Sequence, residues 1–165
     1  MDIRAEALQP APYRPYGDVI AAGATRGARA NAGTALRFDR VAAFENLRAH
    51  ATPNVCVFRA EPAAGNPFSV RRLERHRHST QVFIPMAGAE RYLLVVCAGA
   101  DAPDLSTLKA FVAPGAQGVS YRPGVWHHPL IALERTTDFA CLVNEDGSSG
   151  DCDEFAVAPA VSVAY

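Results

Sequence analysis

A chain of 165 residues, 49% of them hydrophobic, has the length of one domain and can bury roughly two-thirds of the surface its unfolded form exposes. Its 16 lysines and arginines against 17 acidic residues leave a net charge of −1, so the sequence lacks the extended basic surface that phosphate neutralisation on a nucleic acid requires. Charges at Asp2, Arg4 and Glu6 interrupt the apolar run a secretory signal needs, and no stretch reaches the length of a membrane span, so the expectation is a soluble, cytoplasmic protein.

Along the chain, Gly23 to Gly33 is rich in alanine, glycine and arginine and reads as a mobile loop. Asp39 is a candidate N-cap for a short helix with Val41, Phe44 and Leu47 at helical intervals. Strand-length runs of β-branched and aromatic residues then follow at 55–60, 68–76, 81–86, 92–98, 108–113, 117–121 and 138–144. Turn residues separate them at Pro62 to Pro67, Ala87-Gly88-Ala89, Gly99, Pro114-Gly115 and Pro123-Gly124. This pattern predicts an all-β sandwich or barrel in a single domain over 1–165, with the apolar tail 156–165 docking as a strand.

Chemistry concentrates in two segments, Glu74-Arg75-His76 with Gln81 five residues on, and Pro123-Gly124-Val125-Trp126-His127. Side chains alternate along a strand, which puts Glu74 and His76 on one face. Gln81 has the opposite parity and converges only if Ser79-Thr80 makes a turn or bulge. Each residue also has a plain reading. Glu74 could pair with Arg72 or Arg75 on the surface, His127 could cap a rim by hydrogen bonds, and Trp126 would ordinarily be core. His128 points away from His127 and reads as structural. Arg71, Arg72 and Arg77 read as a solvated face, and Asp151-Cys152-Asp153-Glu154 as an acidic loop. The widely spaced Cys56, Cys97, Cys141 and Cys152 form no paired motif.

These segments resemble the two motifs of cupin barrels. The first holds two histidines two apart, a glutamate five residues later and a hairpin glycine, and the second a proline and glycine with a histidine three residues after the glycine. In that register His76 takes the second histidine, Glu74 the first, Gln81 the glutamate and His127 the last ligand. The resemblance implies a divalent metal held by Glu74, His76, Gln81 and His127, and leaves His78 out of register. Gln81 is the weakest of the four donors and could contact substrate instead.

A wider resemblance covers almost the whole chain. Tyr16-Gly17-Asp18-Val19-Ile20, Asn31-Ala32-Gly33, Leu73-Glu74-Arg75-His76, Gln81-Val82-Phe83-Ile84-Pro85, Val125-Trp126-His127-His128-Pro129-Leu130 and Asp151-Cys152-Asp153 occur in the order seen in ureidoglycolate lyases. Arg77-His78 departs from that family, which more often has a proline and an apolar residue there. The resemblance implies a cupin-like barrel that splits ureidoglycolate into glyoxylate and urea, a homodimer, and nickel as the candidate ion. It implies catalytic roles for His76, His127 and Tyr121, with Arg37 or Arg59 as the fork that binds the substrate carboxylate beside Gln81. Two other readings stay open from the residues alone: a different metal-dependent cupin, such as a dioxygenase or isomerase acting on a small oxygenated acid, or a non-catalytic cupin that binds such an acid.

Overall fold

The computed structural model describes every residue except Ala87, so that part of the expected Ala87-Gly88-Ala89 turn lies outside the described residues. Strands β1 (Asp2–Arg4) and β2 (Glu6–Ala7) lead to a single helical turn, α1 (Pro10–Tyr13), opened by Pro10 at a position where a missing N–H costs nothing. Next come β3 (Val19–Ile20), the hairpin of β4 (Gly27–Ala30) and β5 (Ala35–Phe38), and the long β6 (Thr52–Ala60) and β7 (Phe68–His76). The chain continues through β8 (Gln81–Pro85), β9 (Arg91–Cys97), β10 (Lys109–Pro114), β11 (Gly118–Tyr121), β12 (Trp126–His127) and β13 (Ile131–Ala132). It closes with β14 (Thr137–Glu145) and β15 (Cys152–Ala164).

One sheet runs β1-β15-β7-β12-β9-β10-β2, with β13 also on β9, and a second runs β3-β11-β8-β14-β6. The large sheet bends until β1 approaches β10, giving the nearly closed, cupin-like all-β barrel. Strand β9 is buried on both faces. Tyr92, Leu94 and Val96 join Phe83, Val119, Tyr121 and Phe139 of the smaller sheet in one core. Leu93, Val95 and Cys97 join Leu73, Trp126, Val161 and Val163 in another. Two-sided burial is why β9 reads as a continuous apolar run rather than an alternating one, and each large side chain so buried stabilises the fold by about 1.5–3 kcal/mol relative to an exposed one.

The alternation on β7 carries the site. Leu73 and Arg75 face the second core, where the Arg75 guanidinium lies 4.6 Å over the Trp126 ring and its Nε donates to Asp153 Oδ2 at 2.7 Å. Glu74 and His76 face the other way. Gly17 packs the N-terminal segment onto β11 so closely that a Cβ there would stand 1.7 Å from the Ser120 carbonyl oxygen, so only glycine fits beside Tyr121.

Three expectations need correction. The helix from Asp39 does not form. The Glu45 and Leu47 N–H groups donate to Thr80 Oγ1 and to the His78 carbonyl, Thr80 N–H donates to the Glu45 carbonyl, and Asp39 pairs with Arg37 instead of capping. Phe44 and Leu47 stay exposed, because the segment spends its backbone bonds on the turn after β7 rather than on itself. Gly23 to Gly33 is not all loop, since β4 pairs with β5 there. The 151–154 stretch is not an acidic loop either: Cys152, Asp153 and Glu154 pair with His76, Arg75 and Glu74 at the start of β15, whose later residues include the predicted docked tail. Among the described residues no helix is long and apolar enough to cross a membrane.

Candidate metal centre

Two strands and a turn bring the imidazoles and the carboxylate together. Glu74 and His76 project from β7, and β12 lies antiparallel beside it with His127 directly opposite Glu74. The Pro123-Gly124 turn sets this register. Gly124 adopts φ +80°, a conformation glycine takes at little cost, and its N–H donates to the His76 carbonyl at 2.7 Å. Strand parity then sends Trp126 into the second core and His127 to the opposite face beside Glu74. One ligand atom from each of Glu74, His76 and His127 lies within 4.8 Å of the other two.

The hydrogen bonds assign the free lone pairs. His127 Nδ1 lies 2.9 Å from the Val125 carbonyl, which can only accept, so Nδ1 carries a proton and the lone pair of the neutral ring is the one on Nε2. That Nε2 is buried without a hydrogen-bond partner and stands 3.5 Å from Glu74 Oε1. Gln81 Oε1, buried on β8 of the smaller sheet, also lacks a partner. Burial alone would raise the Glu74 carboxyl, but His127 and then His76 outweigh it and hold the group below the ordinary carboxylate range. Burial, followed by the neighbouring His127, pushes the His76 imidazole below its usual value against the opposing pull of Asp151 and Glu74. An ionised carboxylate and an imidazole biased to its neutral form are the states a divalent cation binds, so this donor set fits one.

Glu74, His76 and Gln81 open onto a cavity of about 310 Å³, walled by Phe58, Phe83 and Leu130 on its apolar side. That volume suits a small organic acid. A larger cleft of about 610 Å³ beside α1 is lined by Arg14, Asp18 and Arg40 and contains none of the three clustered ligands, so we place the chemistry in the smaller cavity. Cys152 also lines that smaller cavity, its thiol pushed up to about 11 by burial and then by surrounding carboxylates, which removes it as a nucleophile at neutral pH.

The remaining sequence candidates divide. Arg59 lines the cavity, with Nε and Nη2 each 2.8 Å from the two oxygens of Asp138. Arg37 is not brought there; it sits on β5, exposed and paired with Asp39. Tyr121 stacks on the His127 ring at 4.0 Å and 7°, and its buried hydroxyl has no partner. Burial first, then Tyr92 and Glu74, raises that hydroxyl well above 10, so it keeps its proton. Its ring backs the His127 imidazole from β11. His128 packs edge-on against Phe68, 5.1 Å away. Sequence reasoning missed Asp151, buried with Oδ2 3.5 Å from His76 Nδ1.

The profile of the ureidoglycolate lyase family matches residues 1–164. The chain belongs to that family. A Burkholderia cepacia protein named ureidoglycolate lyase is 43% identical over 153 residues, 92% of this chain and 84% of its own length. An Escherichia coli K12 protein of the same name is 42% identical over 93% of this chain and 92% of its own, and one from Pseudomonas syringae pv. tomato 38% identical over 90% and 86%.

The near-miss histidine gives a test. Titrating Co²⁺ into chelator-stripped protein, His76→Ala should weaken binding by about 100-fold or more, roughly 2.7 kcal/mol, whereas His78→Leu should stay within about tenfold. The reverse order would mean that the wrong histidine of the pair faces the cation.

Proposed function

We propose that the chain cleaves the carbon–nitrogen bond of ureidoglycolate, releasing glyoxylate and urea, and acts as one lyase domain over 1–165. The observation that carries this reading is the cluster of Glu74, His76 and His127 at a cavity of small-acid size in a chain of this family.

Glu74, His76 and His127 would hold the cation, with Gln81 Oε1 as a fourth donor; nickel is the ion the family resemblance favours. When bound, a divalent cation supplies a Lewis acid that lowers the pKa of the substrate hydroxyl and steadies the charge growing on that oxygen. The reaction is otherwise a balanced proton transfer: the hydroxyl loses a proton, its oxygen becomes the aldehyde carbonyl, and the departing ureido nitrogen gains one. Glu74 is held ionised and its Oε1 faces His127, so its Oε2 is the atom we assign to carry that proton from oxygen to nitrogen. Arg59 has spent two of its five N–H donors on Asp138, and the outer edge of its fork remains for the substrate carboxylate. Phe58, Phe83 and Leu130 supply an apolar wall on one side of the cavity, which lowers the local polarity around these interactions.

The smaller sheet also supports the homodimer. Val55 and Val57 on the edge strand β6 and Ile84 on β8 are 69%, 59% and 40% exposed, and register places Val57 and Ile84 on either side of Ala140. These side chains form an apolar outer face suited to self-association. A dimer mass by analytical ultracentrifugation at micromolar concentration is the expected result, and a monomer mass removes the proposal.

The reaction itself is tested by its products. Purified protein free of urease should form one urea per glyoxylate from the first turnovers. Ammonia rising in parallel with glyoxylate would show attack on the ureido carbonyl instead, and no turnover would favour a binding protein.

A further inference from the structure

We propose that Asp151 is a positioning residue that fixes the tautomer and orientation of His76, an inference that rests on the cation site proposed above. Asp151 ends the connection between β14 and β15, one residue before Cys152, which pairs with His76. It is 6% exposed. One carboxylate oxygen, Oδ1, is held by the His78 N–H at 2.8 Å, and the Asp151 carbonyl accepts from the Arg77 N–H at 3.0 Å, so the turn after β7 grips the residue from two sides.

The other oxygen is the informative one. Oδ2 is buried without a hydrogen-bond partner, and two donors face it at 3.5 Å: His76 Nδ1 and Arg48 Nη2. Arg48 is in turn fixed elsewhere, through Nη1 to Asp146 Oδ2 at 2.8 Å and through Nη2 to the Asn144 carbonyl at 3.1 Å. A buried carboxylate oxygen left unpaired is costly, and a small rotation of the imidazole closes the gap to hydrogen-bond length. A carboxylate only accepts, so the nitrogen facing it must be Nδ1–H. The lone pair of His76 is thereby assigned to Nε2, the same outcome that the Val125 carbonyl imposes on His127. Two different acceptors, one a side chain and one a backbone carbonyl, thus leave two imidazoles with free Nε2 atoms. Acceptors behind metal-binding histidines commonly serve this purpose, and their loss weakens metal affinity by about 10–100-fold.

A residue that merely closed the 146–151 connection would leave the ring's tautomer alone, and this separates the two roles. Long-range ¹H–¹⁵N correlation on chelator-stripped protein at pH 8 should show His76 protonated at Nδ1 and bare at Nε2. Asp151→Asn keeps an oxygen for the His78 N–H but turns an NH₂ group toward the ring. It should abolish the single tautomer and weaken Co²⁺ binding by about 10–100-fold, with circular dichroism confirming the fold. An Nε2–H tautomer in the wild type overturns the proposal whether or not the variant folds. So does an Asp151→Asn protein that keeps both the tautomer and the Co²⁺ affinity. A wild type with the Nδ1–H tautomer that takes up no Co²⁺ overturns the cation site, and with it the purpose assigned to Asp151; the intact tautomer distinguishes that failure from the others.

Discussion

The structure turns on a buried imidazole and a half-buried carboxylate that face each other across adjacent strands, His127 on β12 and Glu74 on β7. His127 Nε2 and Glu74 Oε1 stand 3.5 Å apart, and the Val125 carbonyl accepts from Nδ1–H on the far side of the ring, so that Nε2 is the nitrogen turned toward the carboxylate. A buried polar atom without a partner costs about 1–3 kcal/mol, and a charged one more. Gln81 Oε1, on β8 of the smaller sheet, is a further buried atom without a hydrogen-bond partner. A divalent cation held by Glu74, His76 and His127 would give the buried His127 nitrogen the partner it lacks among protein groups.

The barrel is organised to hold that arrangement. Strand β9, buried on both faces, is the partition between the two cores, and β12 pairs with it through Trp126 and His127 while His127 also faces Glu74 on β7. One short strand is therefore fixed on both sides by rigid neighbours, with the Trp126 indole anchored in the second core beneath Arg75. The Tyr121 ring backs the His127 imidazole from β11, so the ring cannot swing away from the carboxylate. Sites held this way are positioned by packing rather than by loops, which suits a reaction that depends on where one proton goes.

Much of this was legible in the sequence because it is local. The alternation of Glu74 and His76, the glycine that the turn before His127 requires, and the β-branched runs over 68–76, 81–86 and 138–144 are written within a few residues of where they act. The rest depends on distant pairing. Val41, Phe44 and Leu47 carry helical spacing, yet the segment is drawn out because Thr80 and His78 take its backbone bonds. Asp151 stands in an acidic run that looks solvated, and only the antiparallel register of β15 on β7 carries it to His76. Arg37 and Arg59 were indistinguishable as carboxylate forks, because nothing local tells which strand borders the cavity; β6 does and β5 does not.

X-ray absorption at the cobalt K-edge, on protein loaded with one equivalent of Co²⁺, reads the ligands of the cation site. Two imidazole ligands at about 2.0–2.1 Å, recognised by the outer-shell scattering of their rings, are expected together with oxygen donors. A first shell of oxygen alone, with no imidazole signature, would contradict the cation site.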